Sequence, residues 1–180
     1  DQSSMDRLTI YTQLAETLRH DSGLFLVYQP KVRINDGKLI GFEALIRWQH
    51  PERGVVSPAE FIPIAENSEL IHPLTAWVLD KAFSQMAQWI AAGIHIPIAI
   101  NVSMNNLQHP DFIGVLNQAI ARHEVPPALV ELEITESALM QRQDITLSRL
   151  QQIHETGVRL SIDDFGTGYS SLAYLKRMPI

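Results

Sequence analysis

Four predicted strands each carry an acidic or amide side chain close to the C-terminal end. Side chains on a strand alternate between its two faces, so residues two apart share a face. The positions that share a face are, strand by strand, Glu43, Leu45 and Arg47; Ala99, Asn101 and Ser103; Glu131, Glu133 and Thr135; and Ser161 and Asp163, followed directly by Asp164. A single carboxylate at the end of a strand more often caps a loop or pairs with an arginine than forms part of an active site. Its repetition over four strands favours a shared site.

Carboxylates that converge repel each other, and burying them without compensation costs free energy. Bound hard cations relieve both effects, and an all-oxygen ligand set with one amide suits Mg²⁺ or Mn²⁺ better than zinc. The adjacent carboxylates of Asp163 and Asp164 could bridge and bind a pair of ions. Two-metal sites perform in-line displacement at phosphorus. The pattern therefore indicates metal-assisted phosphoester chemistry.

The strands that position these residues alternate with helices. The first half predicts a helix over 6–20 behind a linker remnant, Asp1–Ser4, a hairpin of strands 24–34 and 39–48 around Asn35-Asp36-Gly37, a helix that begins at the capping box Ser57–Glu60, and a helix over 73–92. The second half predicts strands over 96–103, 130–135 and 158–163, and helices over 112–123, 145–156 and 171–177. This alternation is typical of parallel βα units and predicts an α/β fold.

The composition excludes several classes of function. A net charge of −6 argues against a general grip on a nucleic acid polymer, although local arginines or metal ions could still bind a small anion. With no cysteine, the chain has no disulfide, thiolate zinc site or cysteine nucleophile, which fits a cytoplasmic location. The seven histidines lack the HExxH spacing of a helical zinc site, and no apolar run reaches the ~18 residues of a membrane span.

Short blocks of residues, in order along the chain, match the EAL domain family. They are Tyr28-Gln29-Pro30, Glu43-Ala44-Leu45-Ile46-Arg47-Trp48, Ser57-Pro58-Ala59-Glu60-Phe61-Ile62, Asn101-Val102-Ser103, Glu133-Ile134-Thr135-Glu136 and the ten residues DDFGTGYSSL from Asp163 to Leu172. The tripeptide EAL alone would carry little weight, but the ten-residue block with the others in order is highly specific. The chain thus resembles this family from residue 24 to 180. We expect residues 1–22 to form a linker and amphipathic helix and 23–180 the EAL domain.

The resemblance implies a TIM-type (β/α) barrel that hydrolyses cyclic di-GMP, a bacterial second messenger, to linear pGpG with two Mg²⁺ or Mn²⁺ ions. It implies that Glu43, Asn101, Glu133 and Asp163 hold one ion, that Asp163 bridges to a second ion also bound by Asp164, and that Gln29, Leu45, Arg47 and Asp164 contact the substrate. Glu43, Asp163 and Asp164 would be catalytic. The planar guanidinium of Arg47 suits a phosphate.

The resemblance also implies a role for the loop after the fifth strand. Glu136 would organise the loop Asp164–Ser170, which family members use to couple metal binding to a homodimer contact. As an alternative, Glu136 is simply a favourable first-turn helix charge. An upstream sensory or GGDEF-like domain is expected ahead of the opening helix, and tethering to a membrane through other segments stays open.

Complete barrels of this type need about 250 residues. We therefore expect an incomplete barrel here, with its last strands, a water-activating lysine and a further metal ligand lying past Ile180. The open sheet edge would make the chain prone to aggregate. Three alternatives to the cyclic di-GMP phosphodiesterase are a non-catalytic cyclic di-GMP receptor, an inactive fragment that acts in dimerisation, and an unrelated metal-dependent barrel hydrolase. Members of the family that bind without hydrolysis usually lack the motif glutamate or the paired aspartates, so the presence of Glu43, Asp163 and Asp164 favours the enzyme over the receptor.

Overall fold

Among the described residues, the helices and strands predicted from the sequence occur in the predicted order, and the short strand Gly54–Val56 and the short helix Met104–Gln108 are additional. The computed structural model describes residues 2–135 and 143–163, with side chains over 5–135 and 147–163. The helices are α1 (Gln2–His20), α2 (Pro58–Glu66), α3 (Ile71–Ala91), α4 (Met104–Gln108), α5 (Phe112–His123) and α6 (Gln143–Glu155), with a 3₁₀ turn at Pro127–Leu129. The strands are β1 (Leu24–Val32), β2 (Leu39–His50), β3 (Gly54–Val56), β4 (Ile98–Asn101), β5 (Val130–Thr135) and β6 (Arg159–Asp163).

All six strands belong to one sheet. Its order is β1-β2-β4-β5-β6, with β3 paired to β2 beside this path. The strands β2, β4, β5 and β6 run parallel, whereas β1 is antiparallel to β2, as a hairpin requires. Over the described residues, β1 and β6 form the two edges of the sheet. The four parallel strands therefore present their C-terminal ends on one side.

The main core lies between the sheet and its helices. Ala44, Ile98, Ile100, Leu132 and Ile134 project from β2, β4 and β5 into a cluster of buried side chains. The helices α3, α5 and α6 supply the other half of this cluster, with Leu79, Phe83, Met86, Leu116, Leu150 and Ile153 among its members. The alternate positions on these strands, Glu43, Ala99, Asn101, Glu131 and Glu133, therefore share the opposite face, which we call the polar face.

A second core fixes the opening helix to the domain. Ile10 and Leu14 of α1 are buried against Trp48, Phe61 and other apolar side chains of β2, α2 and α3. The helix begins at Gln2, so the predicted linker Asp1–Ser4 is wrong for residues 2–4. No proline or glycine interrupts residues 2–20. Because a helix adds one hydrogen bond for each residue it gains, α1 extends through the polar residues to Gln2.

Two local predictions need correction. Ser57 precedes α2 as predicted, but its side chain makes no capping hydrogen bond, because the Glu60 backbone amide donates to the Ser57 carbonyl at 2.9 Å. The Glu60 carboxylate pairs with Arg53 at 2.8 Å instead of closing the capping box. The predicted strand 96–103 is reduced to β4, since Ser103 accepts a hydrogen bond from the Asn106 amide and starts α4. The predicted helix 171–177 lies outside the described residues.

Candidate functional site

The register of the sheet brings the predicted site residues of different strands to one edge. Glu43 lies opposite Ala99, Asn101 lies opposite Glu133, and Thr135 lies opposite Asp163. Register partners on parallel strands point to the same face, so these side chains share the polar face near the C-terminal ends. This is the end of a (β/α) barrel at which active sites are built.

Glu43 and Asn101 are in direct contact. The Asn101 Nδ2 atom donates a hydrogen bond of 2.8 Å to Glu43 Oε1, which joins β2 to β4. The contact fixes the amide orientation, because its nitrogen is committed to Glu43 and its oxygen must point elsewhere. An oriented carboxylate beside an oriented amide oxygen is a suitable pair of ligands for a hard cation.

Glu133 is the most deeply placed carboxylate of the site, with 8% of its surface exposed. Lys31 of β1 donates a hydrogen bond to Glu133 Oε1 and lies 3.5 Å from Glu131 Oε1. Ser161 of β6 also donates to Glu131 Oε1, at 2.8 Å. Four side chains from three strands thus form a connected polar group on the polar face.

Burial and the neighbouring charges together set the ionisation of this group. Burial raises the pKa of Glu133, the hydrogen bond and charge of Lys31 oppose that rise, and the charges of Glu43 and Glu131 add to it. Burial also lowers the pKa of Lys31, but the hydrogen bond that Lys31 donates to Glu133 and the charges of the three glutamates outweigh it, so the pKa of Lys31 is raised overall. The neighbouring carboxylates therefore favour the charged form of Lys31.

Sequence reasoning missed Lys31, although a signal for it existed. It follows Gln29 by two residues on β1, so alternation places it on the same face as the predicted substrate residue. Gln29 itself lies opposite Glu43 and is exposed. It does not line the cavity beside the carboxylates.

A cavity of about 750 Å³ opens beside the carboxylates, between the ends of β2, β4 and β5 and the helices α2 and α3. Ligand pockets commonly measure about 300 to 1,000 Å³. The predicted site residues in its lining are Leu45, Arg47, Asn101 and Glu133. Arg47 donates from Nη1 to its neighbour's carbonyl at Ile46, 2.8 Å away. The cavity therefore combines an apolar wall, a guanidinium and two oxygen-bearing side chains.

A buried amide supports the segment that follows Asn101. Asn106 is 1% exposed; it donates from Nδ2 to Thr75 Oγ1 at 2.6 Å, and its Oδ1 lies 3.2 Å from His72 Nδ1. Its backbone amide donates to Ser103 Oγ at 3.3 Å. This network ties α4 to α3 beside the cavity. Nothing in the local sequence distinguishes Asn106 from its exposed neighbour Asn105, so sequence reasoning could not find it.

The remaining predicted site residues fall at or beyond the end of the described segments. Asp163 is the last residue of β6, is exposed, and has an interaction partner. Asp164, Glu136 and the loop Asp164–Ser170 lie outside the described residues. Their predicted roles in metal binding, loop organisation and dimerisation therefore stay predictions.

The chemistry of the donors fits a hard divalent cation. Glu43, Asn101, Glu133 and Asp163 offer carboxylate and amide oxygens, which Mg²⁺ and Mn²⁺ prefer. The ammonium of Lys31 on Glu133 shows that these carboxylates attract positive charge. Within residues 2–135 and 143–163, no three histidine, cysteine, aspartate or glutamate side chains are arranged to hold a metal ion. The argument for a divalent cation at this site therefore depends on the chemical type of the donor atoms and on the strand register that groups them.

The fold and the site together define an α/β domain with a polar site at the C-terminal ends of parallel strands. The sequence model of the EAL domain matches residues 12–180, and the chain belongs to this family. The match begins inside α1. Among the described residues, no helix is both long enough and apolar enough to cross a membrane.

Curated relatives carry names that agree with this family. The chain is 41% identical over 180 residues to a cyclic di-GMP phosphodiesterase of Pseudomonas aeruginosa. The matched residues are all of this chain and 31% of that relative. It is 42% identical over 179 residues to the bifunctional diguanylate cyclase/cyclic di-GMP phosphodiesterase MucR of the same organism, covering 98% of this chain and 26% of MucR. PdeR of Escherichia coli, a cyclic di-GMP phosphodiesterase, is 38% identical over 180 residues, which are 100% of this chain and 27% of PdeR. The chain spans less than a third of the length of each of these relatives.

Solved structures confirm the predicted fold class. The PaMucR phosphodiesterase in complex with c-di-GMP superposes with a TM-score of 0.87 at 44% identity, over 93% of this chain and 69% of that chain. The EAL enzyme Bd1971, in its cAMP and cyclic-di-GMP bound form, gives 0.88 at 33% identity, over 100% of this chain and 50% of that chain. The described sheet is accordingly a part of the TIM-type barrel of EAL domains.

Proposed function

We propose that this domain is a metal-dependent phosphodiesterase that hydrolyses cyclic di-GMP to linear pGpG. The observation that carries the proposal is the contact between Asn101 and Glu43, which joins two predicted ligands from different strands beside a cavity that holds Arg47. The names of the curated relatives support a hydrolase of this class. The structure of PaMucR with c-di-GMP supports the choice of ligand.

In this proposal the ions are held by the residues that the resemblance implies. Glu43, Asn101, Glu133 and Asp163 would hold one, and Asp163 with Asp164 the second. When bound, such ions polarise phosphoryl oxygens and lower the pKa of a bound water, so that a nucleophile is available near neutral pH. The choice between Mg²⁺ and Mn²⁺ stays open, because both accept this set of oxygens.

The chain's own residues bind and orient the substrate. Arg47 offers a planar, permanently charged group for a phosphate, which matters in a domain whose net charge is −6. Asn101 holds the Glu43 carboxylate in one orientation through its Nδ2 hydrogen bond. Leu45, Ile62 and Val78 give the cavity an apolar wall on which a base can pack. Gln29, on the neighbouring strand beside Glu43, is proposed to contact the ligand from outside this cavity.

The decisive experiment compares turnover with binding. The longest natural polypeptide that carries this sequence would be incubated with cyclic di-GMP and Mn²⁺, and pGpG would be detected by HPLC. We expect turnover by the wild type and a loss of at least about 100-fold in Glu43→Gln, since one metal ligand loses its charge. Glu52→Gln, the same change at an exposed turn position, is the matched control.

Each other outcome has a definite meaning. Binding of cyclic di-GMP without turnover by the wild type would establish the receptor alternative instead. Full turnover by Glu43→Gln would show that the carboxylate cluster is not the reaction centre. Loss of turnover in Glu52→Gln as well would indicate a general response to the loss of one charge.

The wider assembly is proposed on the resemblance alone. We propose a cytoplasmic domain that pairs with a second copy through the loop after β6, downstream of a sensory or GGDEF-like domain. The division of the chain at residue 22 stays a prediction. Because α1 buries Ile10 and Leu14 in the domain core, a signal arriving through this helix would reach Trp48 and the end of β2 directly.

A further inference from the structure

Lys31 reaches across the sheet to carboxylates on a strand that is not its neighbour. It belongs to β1, and both β2 and β4 lie between β1 and β5. Three strand spacings amount to about 14 Å along a flat sheet. Lys31 nevertheless bonds to Glu133 and lies 3.5 Å from Glu131, both on β5. The polar face is therefore the inner side of a curved sheet, and Lys31 spans that curve.

Small residues on the two intervening strands clear its path. Lys31 lies opposite Gly41 of β2, and a Cβ atom at position 41 would stand 3.9 Å from the Lys31 Cδ atom. On β4, the residue between Glu43 and Glu131 in the register is Ala99. A Cβ atom at position 41 would already be in ordinary contact with the lysine stem, so a longer side chain there would crowd it. Gly41 and Ala99 therefore keep the side chains between Lys31 and β5 small.

Lys31 stands behind Glu133 as viewed from the cavity. Glu133 lines the cavity at the C-terminal ends of the strands, and Lys31 does not. Lys31 also approaches Glu131, which precedes Glu133 by two residues and so lies one layer further from those ends. The lysine binds Glu133 through Oε1, which leaves Oε2 outside this hydrogen bond and available to ligate a cation.

We propose that Lys31 is a positioning residue that braces Glu133 against Glu131 and orients it toward the metal ions. The inference rests on the proposed function, since it assigns a role in that same site. The alternative is a simpler role, in which the ammonium of Lys31 occupies the position of a metal ion and competes with it. A bracing lysine strengthens metal binding, whereas a competing ammonium weakens it, so the two roles predict changes of opposite sign.

The test measures Mn²⁺ affinity directly. Isothermal titration calorimetry with MnCl₂ would be run on the longest natural polypeptide that carries this sequence, without nucleotide. We expect Lys31→Met to weaken Mn²⁺ binding by roughly 10- to 100-fold, the usual effect of removing a partner that orients a metal ligand. Lys31→Arg retains the charge and should bind more tightly than Lys31→Met. Lys38→Met removes the same charge from the exposed hairpin turn and should bind like the wild type.

A double variant separates orientation from folding. Lys31→Met leaves two carboxylates without their counter-ion, which could prevent folding. Adding Glu131→Gln removes one of the two charges and should restore the melting transition followed by circular dichroism. Because Glu133 still lacks its brace, Mn²⁺ binding by the double variant should remain weak. Recovery of wild-type affinity there would overturn the proposal in favour of charge balance alone.

Two further outcomes are decisive. Binding of Mn²⁺ by Lys31→Met as tightly as the wild type, or more tightly, would overturn the bracing role and leave the proposed function intact. A wild type that hydrolyses no cyclic di-GMP and binds no Mn²⁺ would refute the proposed function itself, and the role of Lys31 with it. The wild-type measurement therefore identifies which of the two has failed.

Discussion

At the scale of single residues, sequence alone identifies the polar face but not its internal connections. Alternation on the strands groups Glu43, Asn101 and Glu133, and the register brings them to one edge of the sheet. It does not reveal that Asn101 orients Glu43, because that pairing depends on which strands are neighbours in the sheet. Nor does it reveal that Lys31 neutralises Glu133, because that contact crosses two intervening strands through the curvature of the sheet. Residue type and spacing predict which groups converge, and tertiary structure decides which of them pair.

Arg47 should affect binding more than chemistry. Replacing it with lysine keeps the charge but removes the planar fork that grips a phosphate. We expect Arg47→Lys to raise the KM for cyclic di-GMP about tenfold or more while kcat changes less, the result of losing an interaction made equally in ground and transition states. Steady-state kinetics measure both constants. Arg149→Lys, on the far helix α6, is the matched control. A fall in kcat at unchanged KM would contradict a substrate-binding role.

Asn106 should contribute to stability through its buried hydrogen bonds. Asn106→Ala leaves the Thr75 hydroxyl and the His72 ring without their amide partner. The expected loss is about 2 to 3 kcal/mol in the free energy of unfolding, because unsatisfied buried polar groups and a small cavity both add to it. Urea unfolding measures the loss, with Asn117→Ala on an exposed position of α5 as control. Equal stability of the two variants would refute the network's importance.

At the scale of elements, long periodic segments are predictable and short ones are not. The bounds of α5 and β5 agree with the prediction residue for residue. The strand β3 and the helix α4, with three and five residues, are too short to show a period. The helix α4 also depends on a distant partner, since Asn106 bonds to Thr75 of α3. β3 exists because β2 continues two residues past its predicted end and offers it an edge.

The junction of α3 and α5 should respond to pH. Asp80 Oδ1 accepts hydrogen bonds of 2.8 Å from both His123 Nε2 and Arg122 Nη1. The His123 hydrogen bond above all, and then the Arg122 hydrogen bond and both positive charges, hold the pKa of Asp80 below its usual range, although burial opposes them. A lowered carboxyl pKa stabilises the fold above the ordinary value, and that stability is lost as the pH falls through the lowered value.

Asp80→Asn should therefore destabilise the protein at neutral pH and not at low pH. The expected difference is about 1 kcal/mol or less in the free energy of unfolding, since solvent screens a partly exposed ion pair. Urea unfolding at a series of pH values would show the difference shrink as the wild-type carboxylate is protonated. Asp6→Asn, on the exposed side of α1, should show no such trend. A difference that is constant over pH would indicate that the contacts of Asp80 do not depend on its charge.

At the scale of the whole molecule, the family explains why the sheet has an unpaired edge among the described residues. The strand β1 has β2 on one side only, and Phe25 and Val27 remain exposed on its polar face. The PaMucR phosphodiesterase chain is longer, and this chain covers 69% of it. Unpaired, apolar edges recruit other strands. Sequence reasoning anticipated this from length, although it could not identify which side chains would be exposed.

A polypeptide limited to these 180 residues should therefore self-associate. Exposed apolar side chains on an edge strand favour pairing between copies, and a lysine on that strand opposes it. We expect sedimentation velocity to show concentration-dependent association of the 180-residue polypeptide, and Val27→Lys to reduce it. Ile34→Lys, at the exposed end of the hairpin outside β1, should leave it unchanged. A single monomeric species at all concentrations would show that the edge is protected, and equal effects of the two lysines would assign the association to surface hydrophobicity in general instead of the β1 edge.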